Sequence, residues 1–147
     1  MAPRDITDNG RRLTRNLLIV TALLEAPTGL AFVAAPSLVV WLLLGVALDA
    51  PGGFPVAHVA GTALLSIALA CWLARDDGRG AAGRGIVTAV LLYNVSIVVV
   101  LAYTDIGLNM AGIGLWPAVG AHTALGAWCV ACLRPVTAQE RTDRPSS

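Results

Sequence analysis

The chain has 147 residues, of which 56% are hydrophobic and 13% are charged, with a formal net charge of +1. A soluble domain of this size could not hide so much apolar surface, so an ordinary globular domain is excluded and a membrane protein is favoured. The near-neutral charge provides no basic face, and a nucleic-acid partner is therefore not expected.

Four apolar segments have the length of a transmembrane helix, which needs about 20 residues to cross about 30 Å of hydrocarbon. In chain order they cover residues 15–35, 55–74, 85–104 and 114–133. A charged N-terminal segment, residues 1–14, precedes them, and a polar tail, residues 135–147, follows and is predicted to be disordered. The sequence therefore predicts an all-α, integral membrane four-helix bundle in residues 15–134.

A fifth apolar segment, PSLVVWLLLGVAL at residues 36–48, lies between the first two spans and is too short to cross a bilayer. We interpret it as an interfacial or re-entrant helix with Trp41 at the level of the lipid headgroups, ended by the turn at residues 49–53. Such a helix either covers a site as a lid or lies in the interface without a role.

Arginines divide unequally between the two sides of the four spans. They occur before the first span, between the second and third, and after the fourth, and the other two loops contain none: Arg4, Arg11, Arg12, Arg15, Arg75, Arg79, Arg84, Arg134, Arg141 and Arg144. The positive-inside rule then predicts that both termini and the middle loop are cytoplasmic.

Small residues and cysteines recur inside the second and fourth spans. Small residues spaced by four predict close helix contacts, at Ala57 and Gly61, Ser66 and Ala70, Gly120 and Ala124, and Ala127 and Ala131. Cys71, Cys129 and Cys132 fall near the predicted cytoplasmic ends, where we interpret them as small packing residues rather than a disulfide or a metal site. No metal and no cofactor is predicted.

Each span carries one prominent polar residue, and such residues are expensive in hydrocarbon. Counting about 1.5 Å per residue from the flanking arginines places Glu25, Asn94 and His122 about 15–18 Å into the membrane, near its midplane. His58 lies about 25 Å from its arginine, close to the outer surface. Tyr93 stands beside Asn94 and adds a phenolic hydroxyl to the predicted layer.

Glu25 and His122 are the candidate acid and base of this layer. Thr21, Glu25 and Thr28 share one face of the first span, which predicts a polar stripe turned toward the bundle interior. A desolvated carboxyl favours its neutral form, whereas a nearby imidazolium favours the carboxylate, so the two groups would be coupled. The alternative is that these side chains bond to one another and only fix the helix register.

Several short sequences together look like a known group of proteins: Leu24-Glu25-Ala26-Pro27-Thr28-Gly29, Ala35-Pro36-Ser37, Leu44-Gly45, Cys71-Trp72, Tyr93-Asn94, and Leu115-Trp116-Pro117-Ala118 followed by His122. The chain resembles small, uncharacterised bacterial four-span proteins, broadly DoxX-like in architecture. The resemblance covers nearly the whole membrane region and includes Glu25, Asn94 and His122, whereas the position of His58 more often holds Arg in that pattern. It implies a bacterial plasma membrane and names no activity.

Three functions remain open from the sequence. The first is a membrane-embedded acid/base enzyme, such as an isomerase, cyclase or epoxide-opening enzyme, acting on an apolar lipid, isoprenoid or quinone. Its catalytic candidates are Glu25, His122, Asn94 and Tyr93, and its substrate-binding candidates are His58, Thr21, Thr28, Trp41 and Trp116. The others are a small transporter or proton pathway, in which the chain works as a homo-oligomer, and a non-catalytic accessory subunit. Membrane lipid is the expected surrounding partner in each case.

Overall fold

A computed structural model describes residues 4–77 and 80–134 of the chain. This part of the chain contains five helices and no strand: α1 (Arg4–Ala34), α2 (Pro36–Leu44), α3 (Gly53–Ala74), α4 (Ala81–Leu108) and α5 (Leu115–Leu133). The all-α prediction is confirmed. The tail predicted to be disordered, residues 135–147, lies outside the described residues.

Four of the helices are long and apolar enough to cross a membrane, over Asn9–Ala34, Gly53–Ala74, Ala81–Leu108 and Leu115–Leu133. Their outward faces carry large apolar side chains, among them Leu23, Val56, Leu92 and Val99. Apolar side chains on the outside of a bundle suit contact with lipid rather than with water. The chain thus has the four-helix architecture of a multi-pass membrane protein, with the predicted short helix between the first two spans.

The helices extend beyond the predicted spans at several ends. Helix α1 begins at Arg4 and runs through most of the segment predicted to precede the membrane, and α4 continues past residue 104 to Leu108. Helix α3 begins at Gly53 rather than at Pro55, because the first N–H groups of a helix need no partner within it and proline is therefore tolerated there. Bilayer thickness limits an apolar stretch and does not limit the helix that contains it.

Helix α2 is shorter than the apolar segment that predicted it, because Gly45 ends it in the left-handed conformation. Its φ is 71°, and its N–H donates to the Trp41 carbonyl at 2.9 Å. Two further backbone bonds fix this end of α2 to the loop between α4 and α5: Gly112 N–H donates to Leu43 O at 2.9 Å, and Gly114 N–H to Leu42 O at 2.8 Å. The short helix is therefore tied to the bundle end.

The long helices pack mainly as two pairs, α1 with α3 and α4 with α5. In the first pair Gly29 and Gly61 cross so closely that a Cβ on either would lie 2.8 Å from the carbonyl oxygen of the other. Among the small residues of α3, Gly61 therefore permits a close contact, whereas Ser66 is exposed. The small residues of α5 permit none, since Gly120, Ala124, Ala127 and Ala131 all face outward, and a Cβ at Gly120 would meet nothing within 4 Å.

Side-chain contacts at both ends show that successive long helices alternate in direction. At the arginine-rich end, Arg15 Nε lies 3.1 Å from Asp76 Oδ1, joining this end of α1 to the end of α3. Arg75 Nε lies 3.5 Å from the other oxygen of the same carboxylate. At the opposite end Trp116 Nε1 donates to Asp105 Oδ2 at 3.1 Å, across the loop from α4 to α5.

The apolar core fills the half of the bundle nearer the arginines. It contains Leu17, Leu18 and Ala22 of α1, Cys71 of α3, Val87 and Val90 of α4, and Leu125 and Cys129 of α5. About one turn further from the arginines, the next buried positions on α1 and α4 are polar, Glu25 and Asn94, and on α5 the partly buried His122 follows Leu125. Those positions form the candidate site.

Candidate functional site

Glu25 is the acidic residue of the site and is almost fully buried, at 3% exposure. It lies on the inward face of α1 in line with Leu18 and Ala22, so the apolar stripe that anchors α1 also carries the carboxyl inward. The Tyr93 hydroxyl of α4 donates to Glu25 Oε2 at 3.0 Å. This bond joins the two helix pairs across the centre of the bundle.

Asn94 and His122 form the second pair of the site. Asn94 is fully buried; its Nδ2 donates to the Val90 carbonyl at 2.7 Å, and its Oδ1 lies 2.8 Å from His122 Nδ1. Because the Val90 carbonyl can only accept, it fixes the orientation of the amide. His122 Nδ1 must then carry the proton and donate it to Asn94, which leaves the lone pair of a neutral imidazole on Nε2.

Tyr93 connects the two pairs. Its ring and the His122 ring lie 5.5 Å apart between centroids and are nearly perpendicular, at 82°, which is a favourable edge-to-face arrangement. Glu25 and His122 share no direct hydrogen bond among the described residues, and Tyr93 lies between them. We call Glu25, Tyr93, Asn94 and His122 the polar cluster. Four predicted site residues on three helices thus come together.

Thr21 lies one turn from Glu25 on α1 and is fully buried, yet its hydroxyl has no partner among the described residues. A threonine within a helix commonly donates to the carbonyl four residues earlier, as Thr28 does to Leu24 at 2.7 Å and Thr104 to Val100 at 2.8 Å. Trp128 Nε1 on α5 is also buried without a partner in this part of the chain. Thr21 therefore adds an unused polar group next to the cluster.

A cleft of about 160 Å³ lies between α3 and α4, which make far fewer contacts with each other than the helices of the two main pairs do. It is lined by Ile67, Ala70 and Cys71 of α3 and by Ile86, Ala89, Val90 and Tyr93 of α4. The lining is apolar except for the Cys71 thiol and the Tyr93 hydroxyl. Tyr93 belongs both to the cleft and to the polar cluster.

The remaining predicted site residues lie away from the cluster. Thr28 is exposed although it shares a helix face with Glu25, and His58 is exposed on α3 near the opposite end from the arginines. Trp41 and Trp116 are about half exposed, and the latter is bound to Asp105. The structure therefore brings Thr21 close to Glu25, and does not bring Thr28, His58, Trp41 or Trp116 into contact with the cluster.

The thiols do not assemble a metal site. Cys71 and Cys129 are buried in the apolar core and Cys132 is partly buried beside it. Among the described residues no group of three or more histidine, cysteine, aspartate or glutamate side chains could hold a metal ion. The chemistry available here is that of a carboxyl, a phenol, an amide and an imidazole with one unused lone pair.

Sequence reasoning missed the residues of the cleft. Ile67, Ala70, Ile86, Ala89 and Val90 are apolar or small, as are the lipid-facing residues beside them, so nothing in the sequence distinguishes a cleft wall from a lipid-facing surface. The linking position of Tyr93 between Glu25 and His122 was also missed, because it depends on how three helices pack together.

Comparison of the chain with protein-family models, with curated proteins and with solved structures finds no match. The resemblance to DoxX-like proteins therefore stays a prediction. The function has to be inferred from the polar cluster and the cleft beside it.

Proposed function

We propose that this protein is a membrane-embedded acid/base enzyme that isomerises, cyclises or opens an epoxide of an apolar substrate of the isoprenoid, quinone or lipid class. The observation that carries this proposal is the asymmetry of the polar cluster. Asn94 holds His122 with a basic lone pair on Nε2, while Tyr93 holds the buried carboxyl of Glu25 at the other end.

The two ends of the cluster supply complementary proton transfers. Glu25, in its neutral form, donates a proton to the substrate through the Tyr93 hydroxyl, and His122 Nε2 removes a proton from a neighbouring substrate atom. The substrate gains one proton and loses one, so an isomerisation needs no oxidant, reductant or second substrate. The proton collected by His122 finally restores Glu25.

Neither alternative function accounts for the arrangement as well. A transporter or proton pathway needs polar groups through both halves of the bundle, yet the half nearer the arginines is filled by the apolar core. An accessory subunit needs the cluster only for helix register and gives no reason for a cleft that ends at Tyr93.

The protein is further proposed to lie in a bacterial plasma membrane with both termini in the cytoplasm, supported by the distribution of its arginines. The polar cluster then lies near the bilayer midplane, where only membrane-soluble substrates reach it. Reporter fusions at residue 147 and in the loop at residue 50 test the orientation: a cytoplasmic reporter should be active only at the first position and an external reporter only at the second.

The function is tested by comparing apolar metabolites from cells that express the native protein, Glu25→Gln, His122→Gln or the control Thr123→Val. Thr123 is exposed next to His122, and within the described residues its hydroxyl bonds only to a carbonyl of its own helix. One metabolite should change with the native protein and the control and remain unchanged with the other two variants, at equal amounts of inserted protein. Identical profiles for all four proteins would contradict an enzymatic function.

A further inference from the structure

The cleft between α3 and α4 has three properties of a substrate site. It lies between the halves of two apolar helices nearer the arginines, its walls are almost wholly apolar, and its polar end is Tyr93 of the cluster. A molecule in this cleft is therefore held by apolar contacts while one part of it touches the residue that binds Glu25.

The volume of the cleft limits what it holds. At about 160 Å³ it is close in size to an engineered apolar cavity of about 150 Å³ that binds benzene. One branched five-carbon unit or a short piece of chain fills such a space, and a complete long-chain lipid does not fit within it. The rest of a larger molecule must extend out between α3 and α4 into the surrounding lipid.

The chemistry of the cluster selects among apolar molecules. Protonation of a straight-chain alkene produces a secondary carbocation, whereas protonation of the trisubstituted double bond of an isoprenoid produces the more stable tertiary one. Tyr93 is the aromatic residue lining the cleft, and an aromatic ring can stabilise nearby positive charge. A saturated acyl chain offers no atom on which this acid and base could act.

We infer that the cleft between α3 and α4 binds one prenyl unit of an isoprenoid chain and presents its double bond to the polar cluster, an assignment that rests on the proposed function. The Tyr93 hydroxyl, which meets the cleft, adds its proton to the less substituted carbon while its oxygen takes the proton of Glu25, and the π electron pair forms the new C–H bond. The neighbouring carbon becomes the tertiary cation. His122 Nε2 then takes a proton from an adjacent carbon, whose C–H electrons form the double bond at its new position.

Binding is tested with a farnesol analogue that carries a photoreactive diazirine, added to the full-length protein in phospholipid vesicles. After illumination, the labelled peptides should contain residues 67–71 or 86–93. Excess farnesol should reduce this labelling by about tenfold, and dodecanol, a straight-chain alcohol of the same backbone length, should change it by less than about twofold.

Variants provide a second test of the same site. Ala89→Phe places a large side chain at an exposed position in the cleft wall and should reduce the labelling by about tenfold, while Ala127→Phe, exposed on α5, should leave it unchanged. Labelling spread over all outward helix faces, equal competition by dodecanol, or no effect of Ala89→Phe would each overturn the assignment. Ala70→Phe repeats the test on the opposite wall.

Failure of binding is separable from failure of catalysis. Glu25→Gln should retain cleft labelling, because the carboxyl lies behind Tyr93 and does not line the cleft. Cleft labelling without a Glu25-dependent metabolite would leave a binding site and refute the enzyme. A Glu25-dependent metabolite without cleft labelling would refute the cleft assignment alone.

Discussion

Asn94 places its amide oxygen 2.8 Å from His122 Nδ1 and so determines which imidazole nitrogen carries the proton. The amide cannot turn over, because its nitrogen donates to the Val90 carbonyl on the same helix. A residue that performs no proton transfer itself thus leaves Nε2 as the base.

Replacing Asn94 should reduce stability as well as function. Asn94→Leu retains the volume of the side chain and removes the acceptor for His122, which leaves a desolvated N–H without a partner. We expect the free energy of unfolding to fall by about 1–3 kcal/mol, measured by SDS titration in mixed micelles. Thr123→Val, which changes an exposed hydroxyl next to His122, should remain within about 0.5 kcal/mol of the native protein. Equal stability of Asn94→Leu and the native protein would show that the bond does not form.

Tyr93→Phe tests the role of the Tyr93 hydroxyl apart from that of its ring. It removes the bond to Glu25 and keeps the ring that contacts His122 and lines the cleft. We expect only about 0.6 kcal/mol of stability to be lost, the mean value for such a bond in a membrane protein. Turnover should fall by about tenfold or more, as for loss of a group that passes on the proton of a general acid. Undiminished turnover, followed by the metabolite identified with the native protein, would exclude a role for this hydroxyl.

Thr21→Val should affect the free energy of unfolding differently from the same substitution at a buried threonine whose hydroxyl is bonded. The Thr21 hydroxyl has no partner in the described part of the chain, so its removal should leave the free energy of unfolding unchanged or increase it. Thr104→Val, which removes a hydroxyl bonded to the Val100 carbonyl, is the matched control and should cost about 0.5–1.5 kcal/mol. If Thr21→Val destabilises the protein more than the control, its hydroxyl has a partner in the membrane.

Substitution by alanine should change the free energy of unfolding in opposite directions at Gly61 and Gly120. At Gly61 the new Cβ would lie 2.8 Å from the Gly29 carbonyl oxygen, so α1 and α3 must separate and the protein should lose about 1–3 kcal/mol. At Gly120 the Cβ meets nothing, and the better helix propensity of alanine should add up to about 1 kcal/mol. The same SDS titration measures both changes, and equal effects at the two sites would contradict the close crossing of α1 and α3.

The fold was largely predictable from the sequence, because hydrocarbon thickness and the cost of polar backbone in lipid leave few alternatives for long apolar segments. The same reasoning identified Glu25, Asn94 and His122, since a polar residue deep in such a segment stands out against its neighbours. Counting residues from the arginines placed them at one depth, and the structure brings these three side chains into one cluster with Tyr93.

Helix periodicity alone could not predict which face of a helix is covered by a neighbouring helix at each depth in the membrane. Thr28 shares a face with the buried Thr21 but is exposed, and the small residues of α5 face outward although Gly61 of α3 faces α1. The sequence could not predict the apolar cleft for a related reason, since the residues of its walls have the composition of any lipid-facing surface. Both features depend on which helices become neighbours.

Deuterium incorporation tests the central claim most directly, because it works on a mixture of lipids in which the substrate has not been identified. Vesicles that contain the protein and an extract of isoprenoid lipids are incubated in D₂O, and the lipids are analysed by mass spectrometry. An acid/base site exchanges protons at substrate carbon, so the native protein should introduce deuterium into one lipid, and Glu25→Gln and His122→Gln should not. No incorporation above protein-free vesicles, or equal incorporation by all three proteins, would contradict the assignment of the polar cluster as a catalytic site.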